Sequence, residues 1–216
     1  MLWVLGYAAK AQEVRWDTCK FMTYNVLNFD NTGNDKEQYL FEVVDSMHPD
    51  ILIVQELIEL SGAIRFFDSV VYKVDTNYAM GTFINSFDTD NGIYYRKDKF
   101  AFITNTPITT ELRDINEFQL KHIASGEEIY FYSLHLKASS GGTNADQRKR
   151  EVDSLRKVTD LLPDTTNFLI VGDFNNNFKL DKKYNFGKYN FENVVKLLSD
   201  NDIDIIYHKL NESHGN

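Results

Sequence analysis

The chain has 216 residues, of which 43% are hydrophobic and 14% aromatic, and its formal net charge is −9. This length and composition indicate one folded domain and exclude an intrinsically disordered chain. The acidic balance argues against a bulk electrostatic attraction to nucleic acid or to an anionic membrane, although a local basic groove stays compatible with it.

The N-terminus contains a short apolar run followed by Ala9-Lys10-Ala11, a small-x-small pattern typical of a signal-peptidase site. We therefore expect residues 1–11 to be the remnant of a signal peptide, with an ordinary N-terminal strand as the alternative. No other stretch has the ~18 apolar residues of a membrane helix. These features favour a secreted or periplasmic monomer without a transmembrane segment.

The first half of the chain alternates strands with helices. Residues 19–29 and 51–57 are apolar runs that predict strands, and the second run has the composition of a buried one. Residues 34–47 and 61–74 have apolar residues at helical spacing. The second of these helices is expected to face inward with Ile64, Phe67, Val70 and Val71.

The second half begins with three segments that are rich in β-branched and aromatic residues, which predicts strands in residues 91–103, 108–123 and 127–139. A helix is expected over residues 144–162, followed by a strand that starts at Phe168. Two sheets packed together and covered by helices would fit this order, and so would a three-layer α/β sheet.

Polar side chains collect where four predicted strands end, and these side chains are Asn25, Glu56, His135, Asp173 and Asn175. Taken alone, each has a more common structural explanation, such as a turn, a solvated strand end or a buried histidine. Meeting at one rim, they would suit a hard divalent cation such as Mg²⁺, which prefers oxygen ligands and often takes only one or two carboxylates. The amides and the histidine could then hold a phosphate oxygen.

Four motifs in chain order resemble the endonuclease/exonuclease/phosphatase superfamily, also called DNase I-like: "MTYNVLNF", "ILIVQEL", "SLHLKAS" and "IVGDFNNN". The third is similar to the histidine motif of the secreted nuclease and sphingomyelinase-like branches. The resemblance covers residues 20–216. It implies an α/β fold, a four-layer α/β/β/α sandwich, with a magnesium-dependent phosphoesterase site at one rim, where Mn²⁺ or Ca²⁺ are alternative metals.

The resemblance also implies a role for each motif residue. Glu56 would bind the metal with Asn25 close to it, and Asn25 would also contact substrate. Asp173 would orient or deprotonate the attacking water, and Asn175 would position the scissile phosphate. His135 would donate a hydrogen bond to a phosphoryl oxygen or assist the leaving group.

Two basic residues near the third motif, Lys137 and Arg148, are candidates for binding substrate. They would add positive charge along the path of the phosphate. Their alternative interpretation is a solvated surface position, which is the usual environment of Lys and Arg.

The leading functional hypothesis is a secreted, metal-dependent phosphodiesterase that acts on nucleic acid as an endonuclease. A phospholipid or inositol-phosphate phosphoesterase on the same scaffold is the first alternative. A non-catalytic binding module that keeps the fold is the second.

Two departures from the family pattern affect these expectations. Leu27 stands where some branches carry an acidic residue. The serine-aspartate-histidine motif that closes the family does not occur after Asp173, because neither His208 nor His214 follows an aspartate. We therefore expect a C-terminally truncated domain that lacks its last strands and, alone, has little activity.

Overall fold

A computed structural model of the protein describes residues 18–33 and 35–175. The expected signal-peptide remnant at residues 1–11 lies outside this part of the chain, and so do His208, His214 and the expected loss of the last strands. Among the described residues, no helix combines the length and the apolar composition needed to cross a membrane.

The first sheet contains four strands: β1 Phe21–Phe29, β2 Ile51–Leu57, β3 Tyr78–Met80 and β4 Asp90–Arg96. Their order is β1-β2-β4-β3. β1 and β2 are parallel, whereas β4 is antiparallel to both of its neighbours. The parallel pair places the C-terminal ends of β1 and β2 at the same edge of the sheet.

The second sheet also contains four strands: β5 Phe100–Ile108, β6 Ile115–His122, β7 Glu128–His135 and β8 Asn167–Asp173. Their order follows the chain, β5-β6-β7-β8. β7 and β8 are parallel, and His135 lies directly opposite Asp173 in their register. These two strands therefore end together, as β1 and β2 do.

The helices are α1 Lys36–Met47, α2 Glu59–Phe66, α3 Tyr72–Val74 and α4 Gly142–Thr159, with a π-helical turn at Phe67–Val71 between α2 and α3. The first three belong to the connections within the first sheet. α4 connects β7 to β8, as expected for a parallel pair, which needs a long crossover.

Alternate residues of β2 pack in two different layers. Ile51 and Ile53 face the second sheet, and Leu52 and Val54 face the helices, as the two-residue period of a strand requires. The layer between the sheets also contains Ile93, Phe100, Phe118, Leu120, Phe131 and Val171. The four-layer α/β/β/α sandwich is therefore confirmed, and the three-layer alternative is wrong.

The two outer layers contain the helices. Leu40 and Val44 of α1 and Ala63 and Phe66 of α2 join the core on the outer face of the first sheet. On the second sheet, Val152 and Leu155 of α4 pack with Tyr132 and Leu134. The apolar face of α4 therefore covers the outer face of the second sheet.

The inward face predicted for the second helix is partly wrong. Ile64 is 43% exposed, whereas Ala63, Phe66, Val70 and Val71 are buried. The π-helical turn explains the difference, because its wider winding breaks the regular 3.6-residue spacing on which the prediction rested.

Candidate functional site

The predicted polar side chains meet at one rim of the sandwich. Asn25 lies within β1, where the register against β2 begins to shift, and the others lie at or just beyond the ends of β2, β7 and β8. Beneath them, a buried hydrogen bond of 3.2 Å from Gln55 Nε2 to Ser133 Oγ joins the two sheets. Asn91 Nδ2 also donates to the Ser133 carbonyl oxygen at 3.3 Å. The sheets are thus tied together directly below the site.

Asn25 connects the two acidic residues of the rim. Its Nδ2 donates to Glu56 Oε1 at 2.8 Å and to Asp173 Oδ2 at 3.0 Å. Its Oδ1 accepts from the Leu27 backbone N–H at 2.9 Å. One amide group therefore holds a carboxylate from each sheet in hydrogen-bond contact.

Glu56 is held by irregular backbone on both strands. Its own φ is +66°, and Leu27 and Asn28 have φ values of +55° and +49°. The register of β1 against β2 shifts between Asn25 and Phe29. This irregularity directs the Asn28 N–H to Glu56 Oε2 at 2.9 Å. Such bulges often occur next to active sites, where they re-aim a side chain.

Asp173 combines a turn with a site contact. Its Oδ1 accepts from the Asn175 N–H at 2.9 Å, which is the Asx-turn chemistry expected at a strand end. Its Oδ2 faces Asn25. One carboxylate oxygen of Asp173 therefore stabilises a turn, and the other belongs to the site.

Gly172, the glycine of the last motif, is required by a close approach of two strands. Its φ is +123°, and a Cβ atom built there would lie 2.0 Å from the Leu134 carbonyl oxygen. No other residue type fits this position without displacing β7. The glycine therefore fixes the distance between the strands that carry His135 and Asp173.

His135 lies beside both carboxylates and is only 6% exposed. Its Nε2 is 3.5 Å from Glu56 Oε1 and 4.0 Å from Asp173 Oδ2. Burial lowers the pKa of His135 and the Arg113 charge lowers it further, while Asp173 and Glu56 act in the opposite direction without reversing the shift. The buried Nδ1 has no hydrogen-bond partner within the described ranges. Burial therefore favours the neutral form of the His135 imidazole.

Asn175 is tied to the loop that follows β7. Its Nδ2 donates to the Leu136 carbonyl oxygen at 3.0 Å, and its φ of +47° turns the backbone away from the sheet. The amide nitrogen has a second hydrogen, which this contact leaves available.

Arg113, in the loop between β5 and β6, was not among the predicted site residues. Its Nη1 is 3.4 Å and 3.5 Å from the carbonyl oxygens of His135 and Leu136. Its Nη2 pairs with Asp88 at 2.7 Å. Phe87, the residue before Asp88, is 77% exposed. Only the antiparallel pairing of β6 with β7, which brings this loop to the end of β7, could have indicated the contact.

Lys137 and Arg148 have different environments. Lys137 lies two residues beyond the end of β7 and is partly buried. Arg148 is 5% exposed, and its Nη1 donates to the carbonyl oxygens of Lys137 and Ser139, both at 2.9 Å. This burial corrects the solvated-surface interpretation of Arg148, because its guanidinium bonds the protein backbone.

The acidic pair suits a hard cation with few protein ligands. The described part of the chain has no group of three or more His, Cys, Asp or Glu side chains arranged to hold a metal ion. Glu56 and Asp173 nevertheless present two carboxylates within reach of one Asn25 amide, and Mg²⁺ commonly takes one or two carboxylates with water or phosphate. Asn25 donates its amide nitrogen to both carboxylates and so orients Glu56; its contact with a metal stays a prediction.

Comparison with known proteins identifies a family. A model of the endonuclease/exonuclease/phosphatase family matches residues 22–206. No curated protein sequence matches the chain significantly.

Solved structures show the same fold. D. rerio TDP2 in complex with a single-stranded DNA product has 21% identity and a TM-score of 0.58, over 74% of this chain and 61% of that one. The human nocturnin catalytic domain with bound sulfate has 19% identity and a TM-score of 0.52, over 73% and 65%. A Bacteroides thetaiotaomicron mannosyl-6-phosphatase has 16% identity and a TM-score of 0.59, over 78% and 69%. The chain spans less than two thirds of the TDP2 and nocturnin chains.

Proposed function

The chain belongs to the endonuclease/exonuclease/phosphatase family, and from this premise we propose that it is a magnesium-dependent phosphodiesterase, a secreted or periplasmic endonuclease. The observation that carries the proposal is the junction of Glu56 and Asp173 through Asn25, with His135 Nε2 within 4.0 Å of both carboxylates. A phosphodiester bound at this rim would contact carboxylate, amide and imidazole groups that already contact one another.

The two carboxylates have different tasks in this proposal. Glu56 would hold the metal, with Asn25 and the Asn28 N–H fixing its orientation. When bound, Mg²⁺ supplies positive charge that offsets the charge of the non-bridging phosphate oxygens. Asp173 Oδ2 orients the attacking water and accepts its proton.

The neutral groups of the rim would bind the phosphate. His135 Nε2–H donates to a non-bridging oxygen, and its lowered pKa keeps the ring neutral at pH 7. Asn175 donates its second amide hydrogen to the phosphate while the first stays on the Leu136 carbonyl. Fixed donors of this kind stabilise charge that develops in the transition state.

Two positive groups and one aromatic ring extend the site toward substrate. The Lys137 ammonium has no hydrogen-bond or ion-pair partner within residues 18–33 and 35–175, so it can meet a neighbouring phosphate. Arg113 adds a second charge beside His135. Phe87, 77% exposed next to Asp88, offers a face on which a nucleobase can stack.

Nucleic acid is the substrate class that these features favour. The similar TDP2 structure contains single-stranded DNA, and stacking on an exposed aromatic ring suits unpaired bases. A phospholipid or inositol-phosphate substrate would use the same phosphate groups. No feature of the described residues favours it specifically.

Hydrolysis of bis(p-nitrophenyl) phosphate tests the catalytic part of the proposal. The p-nitrophenolate leaves without needing a proton, so the assay depends on the metal, the water and the phosphate contacts. Because the chain alone is expected to have little activity, we expect slow Mg²⁺-dependent hydrolysis. EDTA should abolish it, and E56Q and D173N should each reduce it by about 100-fold or more. D153N, which changes an exposed carboxylate of α4, is the control. Turnover that is insensitive to EDTA, or equal in D173N and wild type, would contradict the proposal.

A substrate panel tests the endonuclease part. The purified chain would be incubated with plasmid DNA, RNA and sphingomyelin, each with Mg²⁺ and with chelator. We expect Mg²⁺-dependent nicking of nucleic acid. Hydrolysis of sphingomyelin alone would overturn the endonuclease assignment and leave the phosphodiesterase assignment intact.

A further inference from the structure

Two oppositely charged side chains of α4 are buried. Arg148 is 5% exposed and Glu151 is 2% exposed. Burying a charge costs free energy unless hydrogen bonds and a counter-charge offset it. The partners of these two groups therefore indicate why the charges are retained.

Both side chains bond the backbone of the loop that follows His135. Glu151 Oε2 accepts from the Lys137 N–H at 2.9 Å. Arg148 Nη1 donates to the carbonyl oxygens of Lys137 and Ser139, each at 2.9 Å. Because the two residues are three positions apart, they share one face of the helix.

The other side of the same loop is bonded to the catalytic strand ends. The Leu136 N–H donates to the Asp173 carbonyl oxygen at 2.9 Å. The Leu136 carbonyl accepts from Asn175 Nδ2 at 3.0 Å. Residues 136–139 thus link the Arg148 and Glu151 side chains to His135 through the chain, and to Asp173 and Asn175 through hydrogen bonds.

We propose that Arg148 and Glu151 are positioning residues for the reaction: they hold residues 136–139 and thereby fix His135 and Asn175 against the phosphate. This inference rests on the proposed function. Charge-assisted hydrogen bonds are shorter and stronger than neutral ones, and a loop held by three of them keeps its donors in place as charge develops. Neither side chain touches substrate.

Substitutions at Glu151 test the inference. E151A removes the acceptor of the Lys137 N–H, whereas E151Q keeps an acceptor oxygen and removes only the charge. With bis(p-nitrophenyl) phosphate, we expect E151A to lower kcat by about tenfold or more, since losing a hydrogen bond to a charged group costs about 1.5–3 kcal/mol. KM should stay within about twofold, and E151Q should recover most of kcat.

A second readout does not depend on turnover. Amide hydrogen exchange at Lys137, followed by NMR, should become about tenfold faster or more in E151A and return toward the wild-type rate in E151Q. K149A, which changes an exposed residue of the same helix, is the matched control. Should E151A fail to fold, R148K replaces it, because a single ammonium cannot keep the guanidinium geometry at both carbonyls.

The outcomes separate this inference from the proposed function. Wild-type protein without turnover would count against the proposed function. In that case the NMR resonances of the His135 ring serve as the readout in place of kcat. These resonances should shift in E151A and return to their wild-type positions in E151Q. An E151A or R148K protein that is folded, with faster Lys137 exchange and unchanged kcat or His135 resonances, would overturn the positioning role. So would an E151Q protein as impaired as E151A.

Discussion

Asn25 donates a hydrogen bond of 3.0 Å to Asp173, a residue 148 positions away in the other sheet. The same amide nitrogen bonds Glu56 at 2.8 Å. The acidic groups of the proposed site are therefore organised by a neutral donor between them. Without that donor, two carboxylates this close would repel each other.

The first prediction concerns this donor. Replacing Asn25 with Ala removes one hydrogen bond to each carboxylate, and each such bond to a charged group contributes about 1.5–3 kcal/mol. We expect N25A to lower kcat/KM by about tenfold or more in the bis(p-nitrophenyl) phosphate assay. N167A is the control, because Asn167 makes an exposed contact with the Glu128 carbonyl at the opposite end of β8. Equal kcat/KM in N25A and N167A would contradict the bridging role.

The second prediction concerns pH. Burial lowers the pKa of His135 from its ordinary value of 6.5. Between the lowered pKa and about pH 6.5, the unfolded chain therefore binds a proton on this ring and the folded protein does not. The resulting stability is fully present above about pH 6.5 and is lost as the pH falls toward the lowered pKa. The free energy of unfolding in urea, measured in EDTA, should therefore fall less steeply between pH 7.5 and pH 5.5 in H135N than in wild type.

The control for this measurement is N167A, which changes a residue without a titratable side chain at the far end of β8. It should keep the wild-type dependence of the unfolding free energy on pH. If H135N also keeps that dependence, burial does not hold His135 in its neutral form.

The third prediction concerns Gly172. A Cβ atom there would lie 2.0 Å from the Leu134 carbonyl oxygen, and the φ of +123° adds strain. We expect G172A to lower the free energy of unfolding by about 3 kcal/mol or more. At Gly126, where φ is also positive but the nearest atom is 3.8 Å away, G126A should cost only about 1 kcal/mol. Chemical denaturation checks both, and similar losses would show that the close approach is not the cause.

The fourth prediction concerns Phe87. If its exposed ring stacks on a base, F87A should raise KM for a single-stranded DNA oligonucleotide by about five- to a hundredfold, since stacking contributes about 1–3 kcal/mol per base. kcat should change little, and hydrolysis of bis(p-nitrophenyl) phosphate should be unaffected. L161A removes an equally exposed apolar side chain beyond the far end of α4. An oligonucleotide KM that is the same in F87A and L161A would exclude the stacking role.

The sequence was sufficient for the parts of the fold that depend on local pattern. The strand at Ile51–Leu57 has the predicted bounds, because four consecutive apolar residues that begin shortly after Pro49 are typical of a buried strand. The residues that end the strands were found for a related reason. Glu56 and Asp173 each interrupt an apolar run, and a polar side chain at that point is visible without knowledge of the fold.

Features that depend on contacts distant in sequence were not predictable. Arg113 and Asp88 lie in loops without a periodic pattern, and only the pairing of β6 with β7 brings them beside His135. Arg148 lies in a strongly polar helix segment, so its burial under the loop at Lys137 has no local signal. The π-helical turn at Phe67–Val71 likewise changes which residues of the second helix face the core. Helix propensities do not predict such a turn, because it depends on packing against the rest of the fold.

In the proposed site, Glu56 holds a divalent cation at the rim where Asn25, Asp173 and His135 meet. Isothermal titration of the purified chain with Mg²⁺ measures this binding without substrate or turnover. We expect one site in wild type, unchanged in D153N, whose affinity falls by about tenfold or more in E56Q, since the substituted amide has lost the negative charge. Mg²⁺ binding that is equally tight in E56Q and wild type would contradict the metal-binding role of Glu56.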